Sequence, residues 1–319
     1  MKRVLVTGGA GFVGSHVVRA LLNRGDELSI VDNFDPFYPE RLKRRALEPL
    51  MKDGARLYQS DIRDQEAMHA AFAQARPEVV VHLAALAGVR PSLERPAAYI
   101  DVNVTGTACV LEAARKAGTR RFVLGSSSSV YGAHAAAPFR ETARIDAPES
   151  PYAASKVASE VLARTFHNLY KMEVAALRFF TVYGPRQRPD LAIHKFSRRM
   201  LAGQPIPFFG DGSSRRDYTW VADIVQGVVA ACDVPLAFEI LNLGGARTTS
   251  LAELVALLEE ALQVKAILDR QPAQPGDVPL TSADVSHAGD VLGYAPHTAI
   301  GDGIRKFAAW VQGDGRDWI

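Results

Sequence analysis

Six short runs of β-branched and aliphatic residues recur up to position 184, and most are separated by a stretch of helical pattern. They are RVLVTG (3–8), ELSIVDN (27–33), RLYQSDI (56–62), VVVHLAA (79–85), RFVLGSSSSVYG (121–132) and EVAALRFFTVYG (173–184). Several are apolar without alternation, so both faces of each strand need cover. The intervening stretches, such as Phe12 to Arg24, carry the 3.6-residue apolar period of a helix. Strands buried on both faces and joined by helices specify an α/β fold, a doubly wound parallel sheet of Rossmann type. After Gly184 the pattern gives way to Pro- and Gly-rich loops, GPRQRPD and GQPIPFFGDGSSRRD, and one later pair, VADIVQGVVAACDV then EILNLG, is suited to rejoin the sheet. Helices near 250–262 and 301–312 complete the tail. The expected organisation is a first domain over 1–180, completed by about 213–244. A smaller interleaved C-terminal domain would take 181–212 and 245–319.

The charge balance narrows the partners. With 37 Lys and Arg against 35 Asp and Glu, the net charge is +2, and a nucleic-acid binder would show a dense basic face. The densest basic cluster, Arg41 to Arg45 in PERLKRRALEPL, reads as a solvated loop leading into a helix. The two cysteines, Cys109 and Cys232, sit in alanine-rich helical patterns as small buried hydrophobes without metal-ligand spacing, which fits a reducing compartment. The start, MKRVLVTGG, enters a strand without a signal-cleavage region, and no apolar run approaches the roughly 18 residues that span a bilayer. A cytoplasmic protein without membrane or nucleic-acid partners is expected.

TGGAGFVGSH places Gly8, Gly11 and Gly14 between the first strand and first helix, with Asp32 ending the second strand. Glycines in that context let the backbone approach a pyrophosphate, and the helix N-terminus stabilises its charge. An aspartate at that strand end accepts hydrogen bonds from ribose hydroxyls and repels a 2′-phosphate, which favours NAD over NADP. Asp61 and Ile62, ending the third strand, are placed to meet an adenine, and His82-Leu83-Ala84-Ala85 would run beneath the cofactor. His82 has apolar neighbours and reads as a structural strand residue.

ESPYAASKVASE (149–160) raises a second chemistry. Ser150 can cap a helix and Pro151 suits its first turn, so Tyr152 and Lys156, at i and i+4, project from one face. A free tyrosine, with pKa about 10, is a poor base at neutral pH. A neighbouring ammonium and a positive nicotinamide ring would both stabilise its phenolate. Ser127, from the serine-rich end of the fifth strand, is the serine best placed to bond the same substrate hydroxyl.

On TGGAGFVGSH, HLAALAGVR, SSSSVYG, SPYAASK, RFFTVYGPRQRPD, GDGSSRRDYTWVAD and PGDVPLTSADVS, the chain resembles the extended short-chain dehydrogenase/reductase family, in particular its nucleotide-sugar 4-epimerases, over essentially its whole length. The resemblance implies Ser127, Tyr152 and Lys156 as the catalytic set, and NAD held by Gly8, Gly11, Phe12, Val13, Gly14, Asp32, Asn33, Asp61, Ile62, Leu83, Ala84, Ala85, Asn103, Tyr152, Lys156 and Phe179. It further implies Arg216 on the nucleotide diphosphate, Tyr218 and Asp277 near the uridine ribose, and Phe209 near the uracil. Gln274 stands where relatives acting on UDP-glucose carry an arginine, which removes one diphosphate contact. Helices over 101–117 and 152–170 carry surplus apolar surface, and in relatives the equivalent helices pair into a homodimer.

VDNFDPFYPERLKR, AGVRPSLERP and TVYGPRQRPDLAIHKF resemble most the UDP-glucuronate 4-epimerases. Thr181, Arg186 and Arg188 follow the sixth strand and Arg90 follows the fourth; an arginine fork suits a carboxylate such as C6 of glucuronate, and tying loops or contacting phosphate are the other roles open to each arginine. Lys195 is a diphosphate ligand or a surface lysine. The readings that remain beside it are a 4-epimerase of neutral UDP-glucose or UDP-N-acetylglucosamine, a decarboxylase or 4,6-dehydratase, and a non-catalytic NAD sensor. A dehydratase would be expected to carry an acid pair where this chain has only serines.

Overall fold

The computed structural model describes residues 1–133, 135–272 and 279–318. The first half runs β1 (Arg3–Thr7), α1 (Phe12–Asn23), β2 (Glu27–Asp32), α2 (Glu40–Lys52), β3 (Arg56–Gln59), α3 (Gln65–Ala75) and β4 (Val79–His82). Then come α4 (Val89–Glu94), α5 (Pro96–Ile100), a π-turn (Asp101–Thr105) that opens into α6 (Gly106–Lys116), β5 (Arg121–Ser127), a 3-10 turn (Ser128–Tyr131) and α7 (Pro151–Tyr170). The second half follows as β6 (Glu173–Phe179), β7 (Thr181–Tyr183), α8 (Ala192–Leu201), β8 (Ile206–Phe209), β9 (Arg215–Arg216), β10 (Tyr218–Trp220), α9 (Val221–Ala231) and β11 (Phe238–Leu243). The tail holds β12 (Thr249–Ser250), α10 (Leu251–Leu262), β13 (Leu268–Gln271), α11 (Ser286–Leu292) and α12 (Ile300–Gln312), with a final 3-10 turn at Arg316–Trp318.

Seven strands form one parallel sheet in the order β11-β6-β5-β4-β1-β2-β3. Alternate side chains explain its double cover. Val4 and Val6 of β1 pack with α1 and α9 on one face, and Leu5 packs with α3, α6 and α7 on the other. As anticipated, α9 and β11 return to the sheet, β11 pairing with β6. A third apolar cluster, outside the sheet, joins α8, α10 and α12 through Phe196, Leu254, Leu258 and Phe307.

The sixth run is two strands, not one. The Phe180 amide bonds to Leu243 O of β11 at 3.0 Å, and at the next residue Thr181 N turns to Asp217 O, also 3.0 Å away. The backbone thereby changes partners, and β7 pairs with β10 beside the large sheet. The likewise shortened β5 stops at Ser127, where the 3-10 turn begins and the Ser127 hydroxyl accepts from Ser129 N. Among the described residues, no helix is long and apolar enough to cross a membrane.

Candidate active site

Strand order reverses between β1 and β4, the point at which open α/β sheets leave a crevice beyond their strand ends. A cavity of about 500 Å³ lies there. On its dinucleotide side it is walled by Gly8, Gly11, Phe12, Val13, Gly14, Asp32, Asn33, Asp61, Ile62 and Leu83 to Ala85. The glycines are structural necessities. Gly8 has φ +72°, and a Cβ there would stand 2.7 Å from Ala84 N; a Cβ on Gly14 would collide with Gly8 O.

Asp32 accepts from Ala10 N at 3.0 Å and from Phe34 N at 2.8 Å, one on each carboxylate oxygen, so each oxygen keeps a lone pair for a ligand hydroxyl. Burial pushes its pKa up, against the lowering effect of those amides and of Lys43. Asp61 is held below the usual range, at about 2, chiefly by Arg63, and also accepts from Asn33 Nδ2 at 2.8 Å. These residues fit an adenosine ribose flanked by backbone amides and carboxylates.

Asn103 departs from expectation. It is not on the cavity wall: its side chain bonds Leu86 N and O at 2.8 and 2.9 Å and Ser155 Oγ at 2.9 Å. Its place is a brace that shapes the segment after β4. His82 is structural, as its neighbours predicted. Thr7 and Thr107 hydroxyls meet its two ring nitrogens at 2.7 and 3.0 Å, and burial lowers its pKa to about 3.

Ser127, Tyr152, Lys156 and Phe179 line the same cavity. Ser150 caps α7 through Ala153 N at 3.1 Å, which sets the phase that turns Tyr152 and Lys156 inward. Burial raises the Tyr152 pKa, while the Ser127 hydrogen bond and then Arg188 work to lower it. The anticipated role of Lys156 in that balance is not what the geometry presents. Its ammonium donates to Gly125 O at 2.8 Å, and burial brings it down to about 8. The lysine is therefore still largely protonated at neutral pH, with Glu160 one turn further along α7 favouring the charged form.

Glu160 belongs to a buried layer beneath the site. It accepts from Ser126 Oγ at 2.5 Å and from Arg178 Nε and Nη2 at 3.0 and 2.8 Å.

Of the residues expected on the sugar, Thr181 and Arg188 line the cavity. Arg188 stacks over Phe37 at 4.6 Å and gives Nε and Nη2 to Asp190 at 3.0 and 2.7 Å. Arg186 does not reach the cavity; it adopts φ +65° and donates Nη2 to His16 Nδ1 at 3.0 Å. Arg90 is exposed and lies over the Phe209 ring at 5.1 Å. Lys195, half-buried on α8, is also away from the cavity wall. Tyr218 pairs with Thr181 in the β10–β7 ladder, and Arg216 pairs with Thr249. Asp277, like Gln274, lies outside the described residues.

Several wall residues escaped the sequence reading. Phe37 and Tyr38, from the loop between β2 and α2, reach the cavity, and so does Lys43. Lys43 is buried, donates to Asp35 O at 2.6 Å and lies over the Tyr38 ring. The basic cluster is thus the first turns of a helix with one lysine inside. The signal was phase: 42, 43, 46, 47 and 50 form the buried face of α2. Of the cysteines, Cys232 is buried and Cys109 is partly exposed.

Compared with known proteins, residues 4–244 match the profile of the NAD dependent epimerase/dehydratase family. The chain belongs to that family. This family member is 40% identical to a UDP-glucuronate 4-epimerase of Thermodesulfobacterium geofontis, over 97% of this chain and 96% of that one. Its fold superposes with TM-score 0.90 on the UDP-glucuronic acid 4-epimerase of Bacillus cereus in complex with UDP-glucuronic acid and NAD, at 33% identity, covering 97% and 98% of the two chains. A UDP-glucose 4-epimerase of Thermotoga maritima, solved with UDP-glucose, matches with TM-score 0.89 and 34% identity, covering 98% and 99%.

Proposed function

We propose that this chain is an NAD-dependent 4-epimerase of a UDP-sugar that interconverts UDP-glucuronate and UDP-galacturonate. The observation that carries the reading is a single cavity lined by Ser127, Tyr152, Lys156, Thr181 and Arg188 together. The relatives named above support it.

NAD fits the glycine cradle, the lone pairs of Asp32 and the walls at Asn33, Asp61, Ile62, Leu83 to Ala85 and Phe179, with Lys43 added and Asn103 as a brace. When bound, NAD accepts and returns the hydride at C4 of the sugar. Tyr152 takes the C4 hydroxyl proton, the 4-keto sugar turns so that the hydride returns to its other face, and Tyr152 gives the proton back to O4, while Ser127 orients that oxygen. Arg188 and Ser127 favour the phenolate, and Lys156, charged below about pH 8, is within the same wall to hold ribose hydroxyls. The 4-keto uronate formed between the two transfers is a β-keto acid and prone to lose CO₂. Thr181 and Arg188 hold its carboxylate so that the bond to C5 stays out of line with the carbonyl π system.

We assign NAD to 1–180 together with α9 and β11, and the sugar nucleotide to 181–212 and 245–319. Arg90, Lys195 and Arg216 are assigned to the diphosphate end, with Phe209, Tyr218 and Asp277 at the uridine. A homodimer belongs to the same proposal, supported by the exposed apolar side chains Ile100, Val161 and Leu169. So does a cytoplasmic setting, supported by two free thiols.

A second reading, epimerisation of neutral UDP-glucose, is favoured by Asp190, which already occupies one edge of the Arg188 fork. NMR of the purified protein incubated with UDP-glucuronate, and separately with UDP-glucose, tests both. Appearance of the 4-epimer from UDP-glucuronate alone, or far faster, is the expected result; the reverse preference overturns the carboxylate assignment.

A further inference from the structure

We propose that His16 is a positioning residue that locks the Arg188 loop onto the dinucleotide helix, and so sets affinity for the sugar nucleotide without touching it. The proposal rests on the reading of Arg188 as a sugar ligand.

His16 lies on α1, within a turn of Phe12, Val13 and Gly14, which wall the cavity. Its ring meets the Phe12 ring edge-on, with centroids 5.9 Å apart. Across 169 and 170 residues of chain it bonds two consecutive residues: Nε2 donates to Pro185 O at 2.9 Å, and Nδ1 accepts from Arg186 Nη2 at 3.0 Å. A single neutral tautomer satisfies both bonds. Burial, then the Arg186 charge, hold the ring pKa down to about 4, so that tautomer persists at working pH.

Arg186 shows what the contact accomplishes. It sits at φ +65°, in the left-handed region that residues other than glycine hold only where their surroundings dictate it. Gln187 follows, buried, donating to Val182 O at 3.0 Å and accepting from His194 N at 3.2 Å. The turn is thereby pinned from α1 on one side and from α8 on the other, and Arg188 is the next residue. Without the imidazole, the Pro185 carbonyl and the Arg186 guanidinium lose their partner on α1. The left-handed residue can then relax, and Arg188 is no longer held over Phe37.

Steady-state kinetics of the NAD-loaded enzyme test this with His16→Ala, His16→Gln, Arg186→Gly and Arg188→Ala. Glutamine offers an acceptor and a donor near the two ring nitrogens; glycine tolerates the positive φ but removes the guanidinium. His16→Ala and Arg186→Gly should each raise KM for UDP-glucuronate about tenfold with kcat within about threefold, and His16→Gln should recover most of the loss. A residue that only supports the fold would lower the unfolding midpoint without this split between KM and kcat. If Arg188→Ala raises KM while the folded His16 and Arg186 variants stay within twofold of wild type, the positioning role is overturned. If Arg188→Ala leaves KM unchanged as well, the reading of Arg188 falls, and the His16 proposal with it. Should the wild type prefer UDP-glucose, the carboxylate assignment alone fails, and an unchanged KM for UDP-glucose in His16→Ala overturns the positioning role.

Discussion

Neutralising Glu160 should strike both stability and the pH range of activity, by separable routes. Glu160 and Arg178 are 3% and 1% exposed at their side chains and share two hydrogen bonds. Glu160→Gln leaves a buried guanidinium without its counter-charge, which costs about 3–5 kcal/mol. At about 2 °C per kcal/mol in a chain of this size, the melting temperature should fall by about 6–10 °C. Glu160→Leu combined with Arg178→Met removes both charges and should regain part of that loss, the Ser126 hydroxyl being left without its acceptor. Activity should not follow. Glu160 is the charge that favours protonated Lys156, whose pKa burial brings down to about 8 even with Glu160 in place. The other titratable groups about the ammonium are Tyr152 on the same helix and His82 on β4, kept neutral by burial. Without Glu160, the Lys156 pKa falls, the ammonium is lost at lower pH, and the alkaline limb of kcat/KM moves toward neutrality in both the single and the double variant. Urea unfolding at fixed NAD and pH–rate profiles measure the two effects. A single variant within about 1 kcal/mol of wild type would refute the buried-pair argument. A double variant no more stable than the single would point to packing instead, and an unmoved alkaline limb would sever Glu160 from Lys156.

Tyr152→Phe should lose about 10²–10⁴-fold in turnover while still binding sugar nucleotide, and a loss of only a few-fold would require another base. Arg188→Ala should reduce kcat/KM for UDP-glucuronate by roughly ten- to a hundred-fold, the worth of a charged hydrogen bond at about 1.5–3 kcal/mol, and release some UDP-pentose from the loosened keto acid. Equal losses with UDP-glucose would make it a structural residue. Denaturing extraction of the wild type should yield NAD lacking a 2′-phosphate, and Gly8→Ala, whose Cβ would lie 2.7 Å from Ala84 N at φ +72°, should purify with little cofactor. Light scattering at micromolar concentration should report a dimer, and a monomer would contradict the assignment of the exposed face around Val161 and Leu169.

What could be read from the chain was local or periodic. The glycine turn, the aspartate ending β2 and the helix that carries Tyr152 and Lys156 depend on neighbours in sequence, because a strand end, a cap and an i, i+4 spacing fix them before any distant contact forms. The parallel sheet followed from strands apolar on both faces. Which arginine meets the cavity was not local. Arg186 and Arg188 are two residues apart in one motif, and a left-handed backbone at Arg186, held from α1 by His16, sends one to the dinucleotide helix and the other to the cavity. Asn103 turned to Leu86 and Ser155 because the π-turn that carries it packs on α7, and Lys43 turned inward with the phase of α2. Sequence by itself therefore determined the fold, the glycine turn after β1 and the helix face that carries Tyr152 and Lys156. The course of the Arg186–Arg188 turn and the charge beneath Lys156 were decided by tertiary structure, since those depend on contacts between segments as distant as His16 and Pro185, which chain topology alone brings within hydrogen-bonding reach.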